Sequence, residues 1–402
     1  MKKHAIIPIF ISHRGCPHSC AFCNQKKITA RSGDVTPDDA RKTIEEWLTT
    51  LGNVETVEVS FYGGSFTAIP MDEQTAFLKL AKEYKDAGKI QKIHLSTRPD
   101  YIEDEILTNL RNYSVDVIEL GAQSFDDEVL ATAERGHTAE DIEKASKLIH
   151  EYGFTLGLQL MVGLPGDSPE KCVESARRAV SLKPEIARLY PTVVIKGTKL
   201  YKMYEEGSFT PLSQDEMIER TKEMYKIIDD AGIKIIRVGL KSSEIMDDEF
   251  GFHPAFRELV EDRIARERIE GQINEMYPEL EWYGGIDMEI NSIQPSLKVI
   301  ANEHSFGHMF GHKKENELYF EQKYPMITFS FKKDYEELMD LRDNEYVVDE
   351  DYSFDMGIGL GGLVGNAFSS GFSGSTNPFA WYEPEENGDE DDDEYPYGYF
   401  EG

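Results

Sequence analysis

The sequence predicts an α/β protein in three parts. Residues 1–232 form an open, partial barrel of strand–helix units, residues 233–342 a smaller C-terminal α/β appendage, and residues 343–402 a disordered acidic tail. Three observations lead there. Short apolar runs alternate with amphipathic segments, the pattern of a parallel sheet with helical crossovers. The unusual residues follow the ends of those apolar runs, where the loops of a barrel rim collect chemistry. The charge also changes along the chain: residues 343–402 carry 16 Asp and Glu with no Lys or Arg, half of the net −32.

Taken in order, "AIIPIFI" reads as the first strand and "TPDDARKTIEEWLTTLG" as a helix with Thr36 as N-cap and Pro37 in its first turn. "VEVSFY" is the next strand, followed by the helix "DEQTAFLKLAKEYKDAG". Then come "KIHLST", a helix from about Glu103, and "VDVIELGAQ". The helix "TAEDIEKASKLIHEYG" leads into "TLGLQLMVG", and "SPEKCVESARRAVSL" into "IARLYPTVV". A further helix spans about Gln214 to Ala231. These six units are too few for a closed eightfold barrel and suit a partial (βα)6 TIM-like one. "IKIIRVGL" opens a different pattern beyond Gly232, which runs through "HPAFRELVEDRIARERIEGQINEMY" to near Asp343 as the appendage. The tail segments "GIGLGGLVGNAFSSGFSGSTNPF" and "EENGDEDDDEYPYGYFEG" are too biased to pack a core. They read as a solvated arm, or as a docking arm for a reductase or basic partner.

Several classes are excluded. No run of about 18 apolar residues implies a membrane span. The start "MKKHAIIPIFIS" has no long apolar core or small-residue cleavage site, so a cytoplasmic protein with reduced thiols is expected. The acidic body argues against broad, nonspecific nucleic-acid binding. The glycine-rich tail lacks the Lys of a phosphate loop.

The stretch "RGCPHSCAFCNQ" holds three of the four cysteines: Cys16, Cys20 and Cys23. An odd cluster of thiols in a reducing compartment points to metal or redox work rather than disulfides. A structural zinc site needs a fourth ligand, for which His13 or His18 could serve. A cubane iron–sulfur cluster normally takes four thiolates, so three leave one iron open to a cofactor or substrate. Cys172 reads as a helix-buried thiol. His304, His308 and His312 could share a helix face and bind a second metal. Gly307 and Gly311 weaken that helix, however, and Lys313 and Lys314 suggest an anion-facing loop.

With Phe22 before the third cysteine, the C-x3-C-x-aromatic-C pattern resembles the radical S-adenosylmethionine (SAM) superfamily. The resemblance implies a 4Fe–4S cluster held by Cys16, Cys20 and Cys23, with SAM chelating the open iron. It further implies one-electron cleavage of SAM to a 5′-deoxyadenosyl radical, and an electron donor such as flavodoxin or ferredoxin. "FYGGSFTAI" resembles the family's glycine pair, whose backbone meets the SAM amino group at Gly63, Gly64 and Ser65. "GAQSFDDEVLATAERGHT" resembles the segment that brings Gln123 to the ribose and Arg135 to the SAM carboxylate. "LQLMVGLPGD" resembles the strand-five motif, with Gln159 facing the nucleoside and Gly163 to Gly166 turning tightly. Several relatives carry Glu where "STRPD" has Ser96, which can hydrogen-bond but supplies no charge.

Within the superfamily, "STRPDYI", "LGAQSFDDEVLATAERGHT", "MVGLPGD", "RLYPTVVIKGTKLYKMYEEGSFTPLS" and "GFHPAFRELVE" resemble the radical half of the Elongator catalytic subunit. That implies transfer RNA as substrate, by wobble-uridine modification. The spacing of the first two cysteines is more compact than in that subunit, and no acetyl-CoA loop is recognisable. A small molecule such as a tetrapyrrole, or a non-catalytic iron–sulfur or zinc sensor, are the alternatives. A sensor has no use for a SAM apparatus on the rim. Arg98 reads either as an anion clamp or as a partner of Asp100. Tyr190 and Lys196 read either as substrate contacts or as a core tyrosine and a solvated lysine.

Overall fold

The computed structural model describes residues 2–11, 15–16, 19–24, 35–240, 253–276, 296–301, 305–325, 327–333, 348–349 and 356–360. Its main sheet holds β1 (Lys2–Phe10), β2 (Val54–Tyr62), β3 (Lys92–Thr97), β4 (Val117–Gln123), β5 (Thr155–Val162), β6 (Ile186–Pro191) and β7 (Lys234–Val238). The seven strands pair in that order, each parallel to the next, and curl into a half-barrel. From sequence the sheet ends at β6, with "IKIIRVGL" outside it. Instead β7 pairs along β6, covering an edge that would otherwise present unpaired backbone groups.

The crossovers are α1 (Pro37–Thr50), α2 (Met71–Asp86), α3 (Asp104–Asn112), α4 (Asp127–Thr132), α5 (Ala139–Glu151), α6 (Pro169–Ser181), α7 (Lys199–Glu205) and α8 (Gln214–Asp230). Their starts are written locally. Thr36 and Asp39 form a capping box at α1 with Pro37 in the first turn, as the sequence predicts. Thr138 with Asp141 and Ser213 with Glu216 do the same for α5 and α8.

The strands place two kinds of residue on two faces. Val59, Phe61, Ile93, Leu95, Ile118, Leu120, Leu156, Leu158 and Leu189 are buried in the core shared with the helices. Their alternates, Glu58, Ser60, His94, Ser96, Glu119, Gln159 and Arg188, contact one another on the concave face. Period-two alternation in a curled sheet thus yields a dry outer layer and a polar lumen.

Beyond β7 come α9 (Phe256–Met276), β8 (Ser296–Ala301), α10 (Phe306–Phe310), α11 (Glu315–Lys323), β9 (Thr328–Lys333), β10 (Val348–Asp349) and β11 (Met356–Leu360). β8 pairs in parallel with β9 and antiparallel with β11, which pairs with β10. β10 and β11 fall in the stretch expected to be disordered tail. Ladder bonds come from backbone, so the glycines of "MGIGL" conceal a strand without preventing one. Residues 361–402 lie outside the described residues.

Candidate active site

The cysteine loop follows β1 at the C-terminal rim of the half-barrel. Two local features hold it. Ala21 is fully buried; its N–H donates to the Ala133 carbonyl at 3.0 Å and its carbonyl accepts from Leu200 N at 2.7 Å. Gly15 has φ +73°, and a Cβ there would stand 2.2 Å from the Ser65 carbonyl oxygen. Only glycine permits that approach. Cys16, Cys20 and Cys23 are half-buried and in no disulfide, and Cys23 N donates to the Cys20 carbonyl at 3.0 Å. Phe22 packs against two small apolar clusters, one with Val129, Ala133 and Leu164, the other with Val193, Val194, Ile195 and Leu200.

Arg135 comes to these thiols from the loop after α4. Its Nη1 donates to Cys20 Sγ at 3.0 Å and its Nη2 to the Gly121 carbonyl at 2.6 Å. Its Nε and the Oε1 of Gln123 are buried polar atoms with no hydrogen-bond partner among the described residues. Gln123 also sits at φ +71°, an uncommon backbone state for a side-chain-bearing residue, at the tip of β4. Arg98 supports Arg135: it forks onto Asp100 at 2.9 Å through both Nε and Nη2, and Nη2 also reaches the Arg135 carbonyl at 2.5 Å.

Burial and the neighbouring Cys20 push the Cys16 thiol up, against the pull of Arg98, Arg135 and the Ser65 backbone. Burial and the same two arginines push His137 down to about 3, so this imidazole is neutral. Gly63 turns at φ +97°, and Ser65 is fully buried. The Ser65 hydroxyl lies 2.9 Å from Thr97 Oγ1 and accepts from Arg98 N at 3.2 Å, while its carbonyl accepts from Ala68 N at 3.0 Å. Two guanidinium groups and a backbone group around the thiols suit thiolate ligands, and the orphaned atoms of Gln123 and Arg135 suit a polar cofactor beside them. The residue types suit an iron–sulfur cluster with SAM, although among the described residues no three His, Cys, Asp or Glu side chains converge as a metal site. His13 and His18 lie outside the described residues.

Below the rim is a network that the sequence reading missed. Glu119, fully buried on β4, accepts from Arg188 Nε at 2.7 Å, from Ser96 Oγ at 3.1 Å and from Gln159 Nε2. Arg188 continues to Tyr62 OH at 2.9 Å and Tyr190 OH at 3.3 Å. On the other side, His94 donates to Glu58 at 2.7 Å, and Glu58 also accepts from Ser60 at 2.7 Å. Burial raises both carboxyls, but Arg188 and His94 hold Glu119, and His4, His94 and Ser60 hold Glu58, below the usual range. Ser96 pairs in register with Glu119, so the carboxylate that Ser96 lacks stands on the adjacent strand. Gln159 faces this lumen. The missed signal was the recurrence of polar residues at alternate strand positions, as with Glu58 and Ser60 on β2 and His94 and Ser96 on β3.

Other candidates separate from the site. Cys172 is buried on α6 and donates to Asp167 Oδ2 at 3.0 Å. Lys196 is exposed. Tyr190 joins the lumen through Arg188. The helix carrying His308 ends at Phe310, and Gly311 at φ +74° turns the chain before His312. Asp262 then takes His308 Nδ1 at 2.7 Å and the His312 N–H at 2.6 Å. His304 lies outside the described residues.

The profile of the Radical SAM superfamily matches residues 10–179, and that of the radical SAM C-terminal domain matches residues 184–266. The tRNA uridine(34) acetyltransferase of Methanocaldococcus infernus is 28% identical over 256 residues, covering 54% of this chain and 48% of that protein. An uncharacterized protein of Methanocaldococcus jannaschii is 32% identical over 224 residues, 53% of this chain and 68% of its own length. Elongator complex protein 3 of Homo sapiens is 27% identical over 204 residues, 46% of this chain and 37% of its own. A solved structure of the M. infernus Elp3 with an N-terminal deletion aligns over 60% of this chain and 61% of that one, with 22% identity and a TM-score of 0.49. The chain spans about half the length of the tRNA uridine(34) acetyltransferases it matches. Three clustered thiols, a rim of turn glycines and a guanidinium set among them thus meet the family profiles on the same stretch of chain, which belongs to the radical SAM superfamily.

Proposed function

We propose that Cys16, Cys20 and Cys23 hold a 4Fe–4S cluster, that SAM lies beside it on the rim, and that the substrate is a transfer RNA. The observation that carries the cofactor reading is Arg135, which touches Cys20 while its Nε and the Oε1 of Gln123 have no partner. A guanidinium with a spare edge is the fork for a carboxylate. Arg135 would take the carboxylate of SAM, Gln123 its ribose, and the backbone of Gly63, Gly64 and Ser65 its amino group. Gln159 and Ser96 border the nucleoside from the lumen, and Phe22 backs the cysteine loop. The cluster and SAM, when bound, supply one-electron reduction of a sulfonium and hydrogen-atom abstraction. The chain's own part is to orient the reactants and keep water away, which the buried rim segments suit. A flavodoxin or ferredoxin supplies the electron.

The RNA reading is supported by the named tRNA uridine(34) acetyltransferases among the relatives. A small-molecule substrate, such as a tetrapyrrole, is favoured by one fact only, the strongly negative body.

The test is 5′-deoxyadenosine formation by the anaerobically reconstituted, reduced protein, with and without bulk tRNA. A yield that rises with tRNA supports the whole reading. A tRNA-independent yield retains the cofactor chemistry and turns the substrate to small molecules. No yield from a fully iron-loaded protein sinks the catalytic proposal.

A further inference from the structure

The arginines around the half-barrel divide by their partners. Arg98 forks onto Asp100, and Arg188 pairs with Glu119 at 2.7 Å. On α9, Arg257 pairs with Glu261 at 2.8 Å. Arg135 and Arg237 have no carboxylate at ion-pair distance among the described residues. Arg135 is accounted for by the thiols and the carboxylate of SAM. Resting on that same reading of the rim, we propose that Arg237, with Tyr190 beside it, binds an oxyanion of the substrate.

Strand register places Arg237. Gln159 of β5, Arg188 of β6 and Arg237 of β7 stand side by side, and Gln159 and Arg188 belong to the lumen network. The register shifts by one residue at Ile236, because Ala187 pairs with Ile235 but Arg188 with Arg237. That extra residue turns Arg237 to the side of Arg188. The Nε of Arg237 then donates to the Gly239 carbonyl at 3.3 Å, two residues further along. The side chain therefore runs up β7 and delivers its guanidinium to the C-terminal rim.

Donors outnumber acceptors there. Both Nη groups of Arg237 lack a partner among the described residues. Tyr190 OH accepts from Arg188 Nη1 at 3.3 Å, and no described residue takes its own proton. Tyr190 follows the Leu189–Val238 pair, which sets it level with Gly239, the residue that fixes Arg237. The lumen carboxylates are already engaged. Glu119 accepts from Arg188, Ser96 and Gln159, and Glu58 from His94 and Ser60. A half-buried guanidinium edge and a phenol without an acceptor suit a group that brings several oxygens and a negative charge.

Arg237 stands two strand spacings, roughly 10 Å, from Gln159, which borders the proposed nucleoside. An oxyanion held there keeps its carrier alongside the nucleoside and clear of the carboxylate clamp of Arg135. It belongs either to a phosphodiester of transfer RNA or to a carboxylate of a small acid.

The experiment compares the reconstituted full-length protein with Arg237→Gln, Arg237→Lys, Tyr190→Phe and the control Arg177→Gln, on the exposed face of α6. Binding is measured apart from turnover, so a protein that makes no 5′-deoxyadenosine, which sinks the function proposed above, still reports on this site. Two probes are titrated: fluorescently labelled bulk tRNA across a salt series, and a porphyrin tetracarboxylate. Arg237→Gln is expected to weaken one of them roughly tenfold and Tyr190→Phe about threefold, with Arg177→Gln within about twofold. If tRNA responds, its salt slope should fall by about one phosphate's worth in Arg237→Gln and stay unchanged in Arg237→Lys. A purely structural bond to Gly239 would not separate those two slopes. A response of the porphyrin alone supports the site and assigns the oxyanion to a small acid. Should Arg237→Gln fail to fold, Arg237→Lys decides, because losing the planar fork should still weaken the responding probe about threefold. Unaltered affinity for both probes at an unchanged melting temperature, or no binding of either probe by the parent protein, overturns the proposal.

Discussion

Arg135 donates to the sulfur of Cys20 at 3.0 Å across 115 residues of sequence. One side chain therefore joins the loop expected to carry a cluster to the loop expected to clasp its cofactor. The two functions should separate on substitution. Cys20→Ala should lose the iron and with it all SAM cleavage. Arg135→Ala should retain iron but bind SAM roughly tenfold or more weakly, the scale of a lost charged hydrogen bond. Iron content and equilibrium dialysis with SAM read the two separately; unchanged SAM affinity in Arg135→Ala would remove the carboxylate clamp from the proposal.

Cys172 gives a complementary control. Its thiol is tied to Asp167 and strongly disfavoured from ionising, first by burial and then by that carboxylate. Cys172→Ala should leave the iron content of the reconstituted protein unchanged. A drop by a quarter or more would make this fourth cysteine a ligand after all.

Gly15→Ala should be far more damaging than its size suggests. The new Cβ would meet the Ser65 carbonyl and the backbone of Ala68 and Ile69, at a φ of +73°. The cysteine loop would have to leave the rim. Reconstitution should yield little bound iron, while far-ultraviolet circular dichroism stays near that of the parent. A normal iron content would show that the close approach is dispensable.

The lumen makes a stability prediction. Glu119→Ala leaves Arg188 buried without its counter-charge, which should cost about 3–5 kcal/mol in urea unfolding. The paired change Glu119→Leu with Arg188→Met removes both charges and should recover most of that loss. If the pair is as unstable as the single variant, the ion pair is not what organises the lumen.

His137 sets an acid limit. Folded, it titrates at about 3, below the ordinary 6.5, because burial and then Arg135 and Arg98 oppose its charge. Between those values the unfolded chain binds a proton that the folded chain refuses. The contribution is complete above pH 6.5 and erodes as the pH falls, by about 1.4 kcal/mol per unit. His137→Gln should flatten the fall in stability between pH 6.5 and 4, measured by urea midpoints. An unaltered slope would assign the acid sensitivity to other groups.

Much of this was legible in the sequence, for identifiable reasons. Thr36, Thr138 and Ser213 announce their helices because capping is local chemistry. The three cysteines and the turn glycines are legible because few structures need them at such spacing. Glu58, His94, Glu119 and Arg188 were not: they lie on four different strands, and only strand register brings them together.

The anchoring of Ala21 has a consequence for how the protein ages in air. Iron–sulfur centres are lost to oxygen, and in many proteins the polypeptide around them collapses when they go. Here Ala21, next to Cys20, is riveted to Ala133 and to Leu200 of α7 by bonds of 3.0 and 2.7 Å that owe nothing to metal. If the proposed cluster were lost, the chain would keep this rivet, so the cluster should be restored by resupplying iron and sulfide to folded protein, without unfolding and starting again.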